Sequence, residues 1–155
     1  MAIKSFQGKR TTVNLKVDEP ILVSDYMTKK LITFKEEEAI EDVIDKLIAN
    51  KISGGPVVND KNELIGIISE GDCIKQLSDS RYYNLPLDKG NTVGKAMVRE
   101  VETISANMNI FDVANKFLQS KRRRFPIVEN GKLIGQISQK DVLKAAVKLK
   151  SNTWK

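Results

Sequence analysis

The sequence predicts an α/β (α+β) fold of two tandem β-α-β-β-α units packed as a pseudo-symmetric pair. Three observations carry that expectation: the chain repeats itself, both copies show the same order of apolar periodicities, and neither copy is large enough to bury a core alone. Displacing the sequence by 70 positions pairs Val23 with Val93, Met27 with Met97, Thr33 with Thr103, Ile40 with Ile110, Pro56 with Pro126 and Val58 with Val128. One residue then drops out of a turn and the displacement becomes 69, so that Leu64-Ile65-Gly66 meets Leu133-Ile134-Gly135, Asp72 meets Asp141 and Lys75 meets Lys144. A register held this long marks a duplicated structural unit. A unit of about 55 residues is marginal by itself, so the two are expected to pack on each other.

Each unit reads as strand, helix, strand, strand, helix. Leu31-Ile32-Thr33-Phe34 is a short β-prone run, and Glu36, Glu37 and Glu38 follow it as residues suited to the positive end of a helix, which is expected to start there. Ile40, Val43, Ile44, Leu47 and Ile48 then recur at helical spacing, as do Ile110, Val113, Ala114, Phe117 and Leu118 in the second copy. Gly55-Pro56-Val57-Val58, the turn Asn59-Asp60-Lys61-Asn62 and the run Leu64 to Ile68 form a strand, turn and strand. The second copy places Asn130-Gly131 in its turn, a stronger hairpin signal because both residues tolerate positive φ. A closing helix is expected from about Asp72 to Leu77 and from Asp141 to about Leu149. The repeats thus span 21–78 and 92–149, joined by a linker at 79–91, with an arm at 1–20 and a basic tail at 150–155 that contains Trp154.

Composition removes several kinds of chemistry. Histidine is absent and Cys73 is the only cysteine, so Ser-His-Asp and Cys-His catalysis, an intrachain disulfide and a His or multi-Cys metal site are all excluded. No apolar run approaches the roughly 18 to 20 residues of a membrane span, and residues 1–10 lack the apolar stretch of a secretory signal, so a cytoplasmic location is expected. The net charge of +6 is unevenly spread: residues 1–20 carry +2, residues 21–90 carry −4 and residues 91–155 carry +8.

The paired pattern Val-x-x-x-Met, Thr, acidic amphipathic helix, Pro-Val-Val and Leu-Ile-Gly-Ile-Ile-Ser-x-x-Asp resembles the cystathionine β-synthase (CBS) domain family over about Ile21 to Leu149. A tandem pair of this kind is similar to the regulatory unit called a Bateman module, and the resemblance implies adenine-nucleotide binding in clefts between the copies. The family's ligands differ, so the resemblance does not identify one.

Ser69-x-x-Asp72 and Ser138-x-x-Asp141 each close a strand and open an apolar helix. One reading is a capping box, in which Ser caps the helix and the acid three residues on answers it. The other is ribose binding, since a carboxylate accepts from vicinal hydroxyls beside the free N–H groups of a helix start. The resemblance supports the second for Asp72 and Asp141, with Ser69 and Ser138 beside them, and the two readings are compatible. Thr33 and Thr103 fit plain β propensity, while the resemblance sets their strand ends against the nucleotide. Met27 and Met97 read first as packing residues, although a thioether also suits an adenine pocket.

The copies diverge most sharply at Lys121-Arg122-Arg123-Arg124-Phe125-Pro126, where the first has Lys51-Ile52-Ser53-Gly54-Gly55-Pro56. A basic run of this sort is ordinarily a solvated patch. The resemblance implies a phosphate contact from the residues just before the proline, here Arg123 and Arg124 ahead of Pro126, and the guanidinium fork suits phosphate. Ser53 and Gly54 stand in their place in the first copy, which offers space for a base and little for phosphate.

The favoured function is therefore a non-catalytic sensor of AMP, ADP, ATP or a cyclic dinucleotide that acts as a homodimer on a protein effector the sequence does not identify. A nucleic-acid-binding or protein-interaction module is the alternative, carried by Arg122 to Arg124 and the basic tail and opposed by the 6% aromatic content. An enzyme is the third class, opposed by the lack of histidine and of phosphate-cradling Gly motifs. No resident cofactor or metal is expected.

Overall fold

A computed structural model describes residues 20–82 and 90–153. Residues 1–19 of the expected arm, residues 83–89 of the expected linker, and Trp154 and Lys155 of the expected tail lie outside the described residues. The first repeat holds helix α1 (Ile40–Asn50), strands β1 (Gly54–Val58) and β2 (Leu64–Ser69) and helix α2 (Glu70–Tyr82). After a short helix α3 (Val93–Ala96), the second holds α4 (Ile110–Gln119), β3 (Arg124–Glu129), β4 (Lys132–Ser138) and α5 (Gln139–Thr153). A single 3₁₀ turn at Val23–Asp25 is the first repeat's counterpart of α3.

Both hairpins are antiparallel and carry a register shift at the same place, between Val57 and Val58 and between Ile127 and Val128. The second turn uses positive φ at both Asn130 and Gly131, +54° and +80°, as its sequence demands. In the first turn, Asn62 takes φ +62°. The two turns also meet: Leu64 N–H donates to the Gly131 carbonyl at 3.2 Å and Leu133 N–H to that of Asn62 at 3.0 Å. The mixed helix and hairpin content, given twice in pseudo-symmetric order, is the α/β pair that the sequence predicts.

Three elements differ from expectation. The opening strand of each repeat shrinks to one parallel bridge residue, Phe34 against Val57 and Ile104 against Ile127. In the first repeat the cause is a turn that begins at the next residue, where Glu38 accepts from the Lys35 N–H at 2.9 Å. That same turn holds Glu36 to Glu38 ahead of α1, so Glu41 and Asp42 occupy the helix's first turn instead. Finally, α2 and α5 begin at Glu70 and Gln139, two residues earlier than expected, because Ser69 and Ser138 flank the helices as caps and put Asp72 and Asp141 at the third helical position.

The cores interleave. Val23 packs with Ile104, Ile110, Phe125, Ile127 and Ile137 of the second repeat, and Val93 and Met97 pack with Phe34, Ile40, Val57 and Ile68 of the first. Backbone bonds follow the same exchange: Val23 N–H donates to Met108 and Val93 N–H to Glu38, both at 2.9 Å. Thr28 then bridges Gln136 of β4, and Val98 bridges Ile67 of β2. The leading segment of each sequence repeat therefore completes the other repeat's core. This exchange explains the paired glycines, since a Cβ at Gly66 would lie 2.7 Å from Met97 Sδ and one at Gly135 would lie 2.7 Å from Met27 Sδ. The two methionines are packing residues that fit over glycines of the opposite repeat.

Candidate functional site

The cleft richest in the expected residues lies where the first hairpin meets the Arg run of the second repeat. It has a volume of about 190 Å³ and is lined by Ser53 to Pro56 and Ile67 to Ser69 of the first repeat and by Arg122 to Arg124 and Gln136 of the second. Its position follows from the exchange just described, because Ile67 and Gln136 are the strand residues that receive Val98 and Thr28. Ser53, Ser69, Arg123, Arg124 and the first copy's Pro56 are thus brought together from positions up to 71 residues apart.

Ser69 and Asp72 form a reciprocal cap. The Ser69 backbone N–H donates to Asp72 Oδ2 at 2.9 Å and its hydroxyl to the same oxygen at 3.0 Å, while the Asp72 N–H reaches Ser69 Oγ at 3.4 Å. Ser138 and Asp141 repeat the box, with the Ser138 N–H 2.9 Å from Asp141 Oδ2 and the Asp141 N–H 3.2 Å from Ser138 Oγ. Every bond that the two carboxylates accept falls on Oδ2, so in each of them Oδ1 accepts from no described residue. Asp141 is 9% exposed, the only polar residue in the described core.

The arginines have three different surroundings. Arg124 crosses to the first repeat, donating from Nη2 to Ser53 Oγ at 2.6 Å and from Nη1 to the Gly54 carbonyl at 3.3 Å. Arg122 lies 3.6 Å from Glu102, whose carboxyl is held below its ordinary pKa first by a hydrogen bond from Lys116 and then by the charges of Lys116 and Arg122. Arg123 gives its carbonyl to the Gln139 N–H at 3.2 Å, and its side chain is exposed and engaged by no described residue. A phosphate entering the cleft would therefore find one arginine unengaged, one joined to Ser53 and one shared with an acid.

The remaining expected residues stand elsewhere. Thr33 and Thr103 directly precede the bridge residues Phe34 and Ile104, whose N–H groups donate to the carbonyls of Pro56 and Pro126 at 3.0 Å each. Pro126 is buried within β3, and Thr103, Ser138 and Asp141 belong to the equivalent region of the second repeat, outside the cleft lining. The space that Gly55 leaves is filled, since a Cβ there would lie 2.9 Å from the Phe34 ring and 2.9 Å from the Ile32 carbonyl. Gln136 is the lining residue that sequence reasoning passed over. Its signal was the replacement of Ile67 by a polar residue inside an otherwise repeated apolar strand.

Cys73 offers no nucleophile: it is 3% exposed, and burial, followed by the charges of Asp72 and Glu70, pushes its thiol pKa up. Among the described residues, no group of acidic or Cys side chains is arranged to hold a metal ion, and no helix is long and apolar enough to cross a membrane.

The profile of the CBS domain family matches residues 23–79 and again residues 93–148. MJ1426 of Methanocaldococcus jannaschii is 31% identical, over 83% of this chain and 93% of that protein. MJ1225 of the same organism is also 31% identical over 83% of this chain, which spans 43% of that longer protein. Among solved structures, CBSX2 in complex with AMP superposes with a TM-score of 0.74 at 30% identity, over 83% of this chain and 98% of that one. CBSX2 is an Arabidopsis thaliana protein, and its structure as a CBS-pair protein gives a TM-score of 0.73 at 28% identity, over 86% of this chain and 99% of that one.

Proposed function

The chain belongs to the CBS domain family, and from that premise we propose that it is a non-catalytic regulatory module that binds an adenine nucleotide in the cleft between its repeats. The observation that carries this reading is the composition of the cleft, in which Ser69 of one repeat, tied by its cap to Asp72 outside the lining, shares the wall with the Arg run of the other. Asp72 Oδ1 would accept from the ribose hydroxyls, with Ser69 and Ser53 beside it, and Arg123 would receive the phosphate as a charge-assisted hydrogen-bond donor. Thr33, next to the bridge to β1, would border the base. AMP is the first candidate, since the AMP-bound relative CBSX2 covers nearly the whole module. Thr103, Pro126, Ser138 and Asp141 would form a second, pseudo-equivalent site.

Signalling would run through Arg124. Its bonds to Ser53 and Gly54 join the two repeats at the cleft wall, so a ligand that competes for this guanidinium alters how the repeats meet. The readout would pass to a protein effector from a cytoplasmic homodimer. The nucleic-acid reading loses support from the same geometry, because two of its three arginines already have partners within the fold.

Thermal melting with a panel of AMP, ADP, ATP, a cyclic dinucleotide and S-adenosylmethionine tests the proposal. A ligand that binds only the folded state raises the melting temperature by mass action, and at least AMP is expected to do so without product accumulating. No shift with any of them at millimolar concentration would refute the reading.

A further inference from the structure

The three arginines on the cleft wall differ in how firmly the fold holds them, and that difference bears on how many phosphate groups a ligand can bring. Arg124 is tied by a part-buried bond of 2.6 Å to Ser53 Oγ, and the Arg123 side chain is exposed and engaged by no described residue. Among the described residues, the Arg122 side chain is held by charge alone. Its Nε lies 3.6 Å from Glu102 Oε1, beyond hydrogen-bond reach, and the two side chains are 44% and 41% exposed. An attraction of this kind is weak and screened by salt, so after Arg123 it is Arg122 that the fold releases most easily.

Glu102 does not share that freedom. Its other oxygen, Oε2, accepts from Lys116 Nζ at 2.7 Å, which keeps the carboxylate in place whether or not Arg122 stays beside it. The first repeat folds without this arrangement. Displaced by 70 positions, Glu102 and Arg122 correspond to Ile32 and Ile52, and Lys46, the counterpart of Lys116, pairs with Glu38 at 3.0 Å instead. Two apolar positions of one repeat are thus an acid and an arginine in the other, and the arginine is one that lines the cleft.

We propose that Glu102 is a specificity residue of the cleft: as the counter-ion of Arg122 it withholds that arginine from a second phosphate group and so tilts the site toward a nucleoside monophosphate. A ligand with one phosphate group is served by Arg123 and leaves the Arg122–Glu102 pair intact. A second phosphate group gains Arg122 only by taking it from a carboxylate that Lys116 prevents from following, so part of the new attraction is spent on the old one. Glu102 touches no ligand itself and acts through Arg122. This selectivity rests on the cleft's being the nucleotide site proposed above, and it adds what disfavours the longer phosphate chain.

Calorimetric titration of AMP and of ADP into the full chain and into Glu102→Gln, Arg122→Gln and the double variant tests it. Glu102→Gln is expected to tighten ADP by about fivefold and AMP by less than about twofold, since only ADP profits from an unclaimed Arg122. Arg122→Gln is expected to leave AMP nearly unchanged, and in its background Glu102→Gln should alter the ratio of the two affinities by less than about twofold. Equal tightening of AMP and ADP by Glu102→Gln, or an ADP gain that persists at full size without Arg122, would overturn the assignment. A loss of ligand-free thermal stability in Glu102→Gln with the affinity ratio unchanged would make the pair a structural contact only, and would overturn it as well. Failure of both nucleotides to bind the wild-type chain and every variant would instead overturn the nucleotide reading of the cleft, and this selectivity with it.

Discussion

The Arg124 guanidinium donates at 2.6 Å to Ser53 Oγ and at 3.3 Å to the Gly54 carbonyl, while Arg123 beside it has no partner among the described residues. Hydrogen bonds from a charged donor contribute about 1.5 to 3 kcal/mol when partly buried. Arg124→Ala is therefore expected to lower the ligand-free melting temperature and Arg123→Ala to leave it unchanged, as differential scanning calorimetry would show. Equal effects of the two would mean that the cross-repeat bonds carry no stability. Sequence reasoning treated these neighbours alike because their spacing from Pro126 gives no direction for either side chain. Glu102 provides a test of the electrostatics. Its carboxyl pKa is lowered by Lys116, so the pair's contribution is present above the ordinary carboxylate pKa and is lost as pH falls through the lowered value. An NMR titration should find Glu102 below the usual range, and Lys116→Met should bring it back up.

At the scale of elements, the hairpins and the buried faces of α1 and α4 were legible because alternation and helical spacing report directly on which side is covered. The helix starts were less so. A capping box fixes its cap three residues before its acid, and that rule, applied to Ser69 and Asp72, places the first helical residue at Glu70, where the structure has it. The acidic run Glu36 to Glu38 misled for the opposite reason: it serves the turn before α1, where Glu38 pairs with Lys46 at 3.0 Å and Glu36 with Arg99 at 2.9 Å. Paired glycines give the sharpest element-level prediction. Gly66→Ala brings a Cβ to 2.8 Å from the Val98 carbonyl, which is fixed backbone, whereas Gly135→Ala leaves 3.1 Å to the Thr28 carbonyl. Overpacking costs about 1 to 3 kcal/mol, so Gly66→Ala is expected near the upper end and Gly135→Ala near the lower in chemical denaturation. A neutral Gly66→Ala would show that Met97 and Val98 do not bind as closely as described.

For the whole molecule, the duplication was readable and the exchange of leading segments was not. Val23 and Val93 satisfy the same apolar pattern whether they pack on their own repeat or on the other, so periodicity is blind to the choice. Asymmetry is informative in the same way. Phe34 with Gly55 in the first repeat becomes Ile104 with Phe125 in the second, which moves the large ring from one partner to the other while keeping the core filled. The Arg run is the asymmetry that the core does not absorb, and it faces the cleft. Calorimetric titration of AMP and of adenosine into the wild-type protein and Arg123→Ala addresses that point most directly. A cleft in which one repeat holds the nucleoside and the other the phosphate predicts that Arg123→Ala weakens AMP by about tenfold or more and leaves adenosine nearly unchanged. Equal weakening of both ligands, or no weakening of AMP, would contradict it.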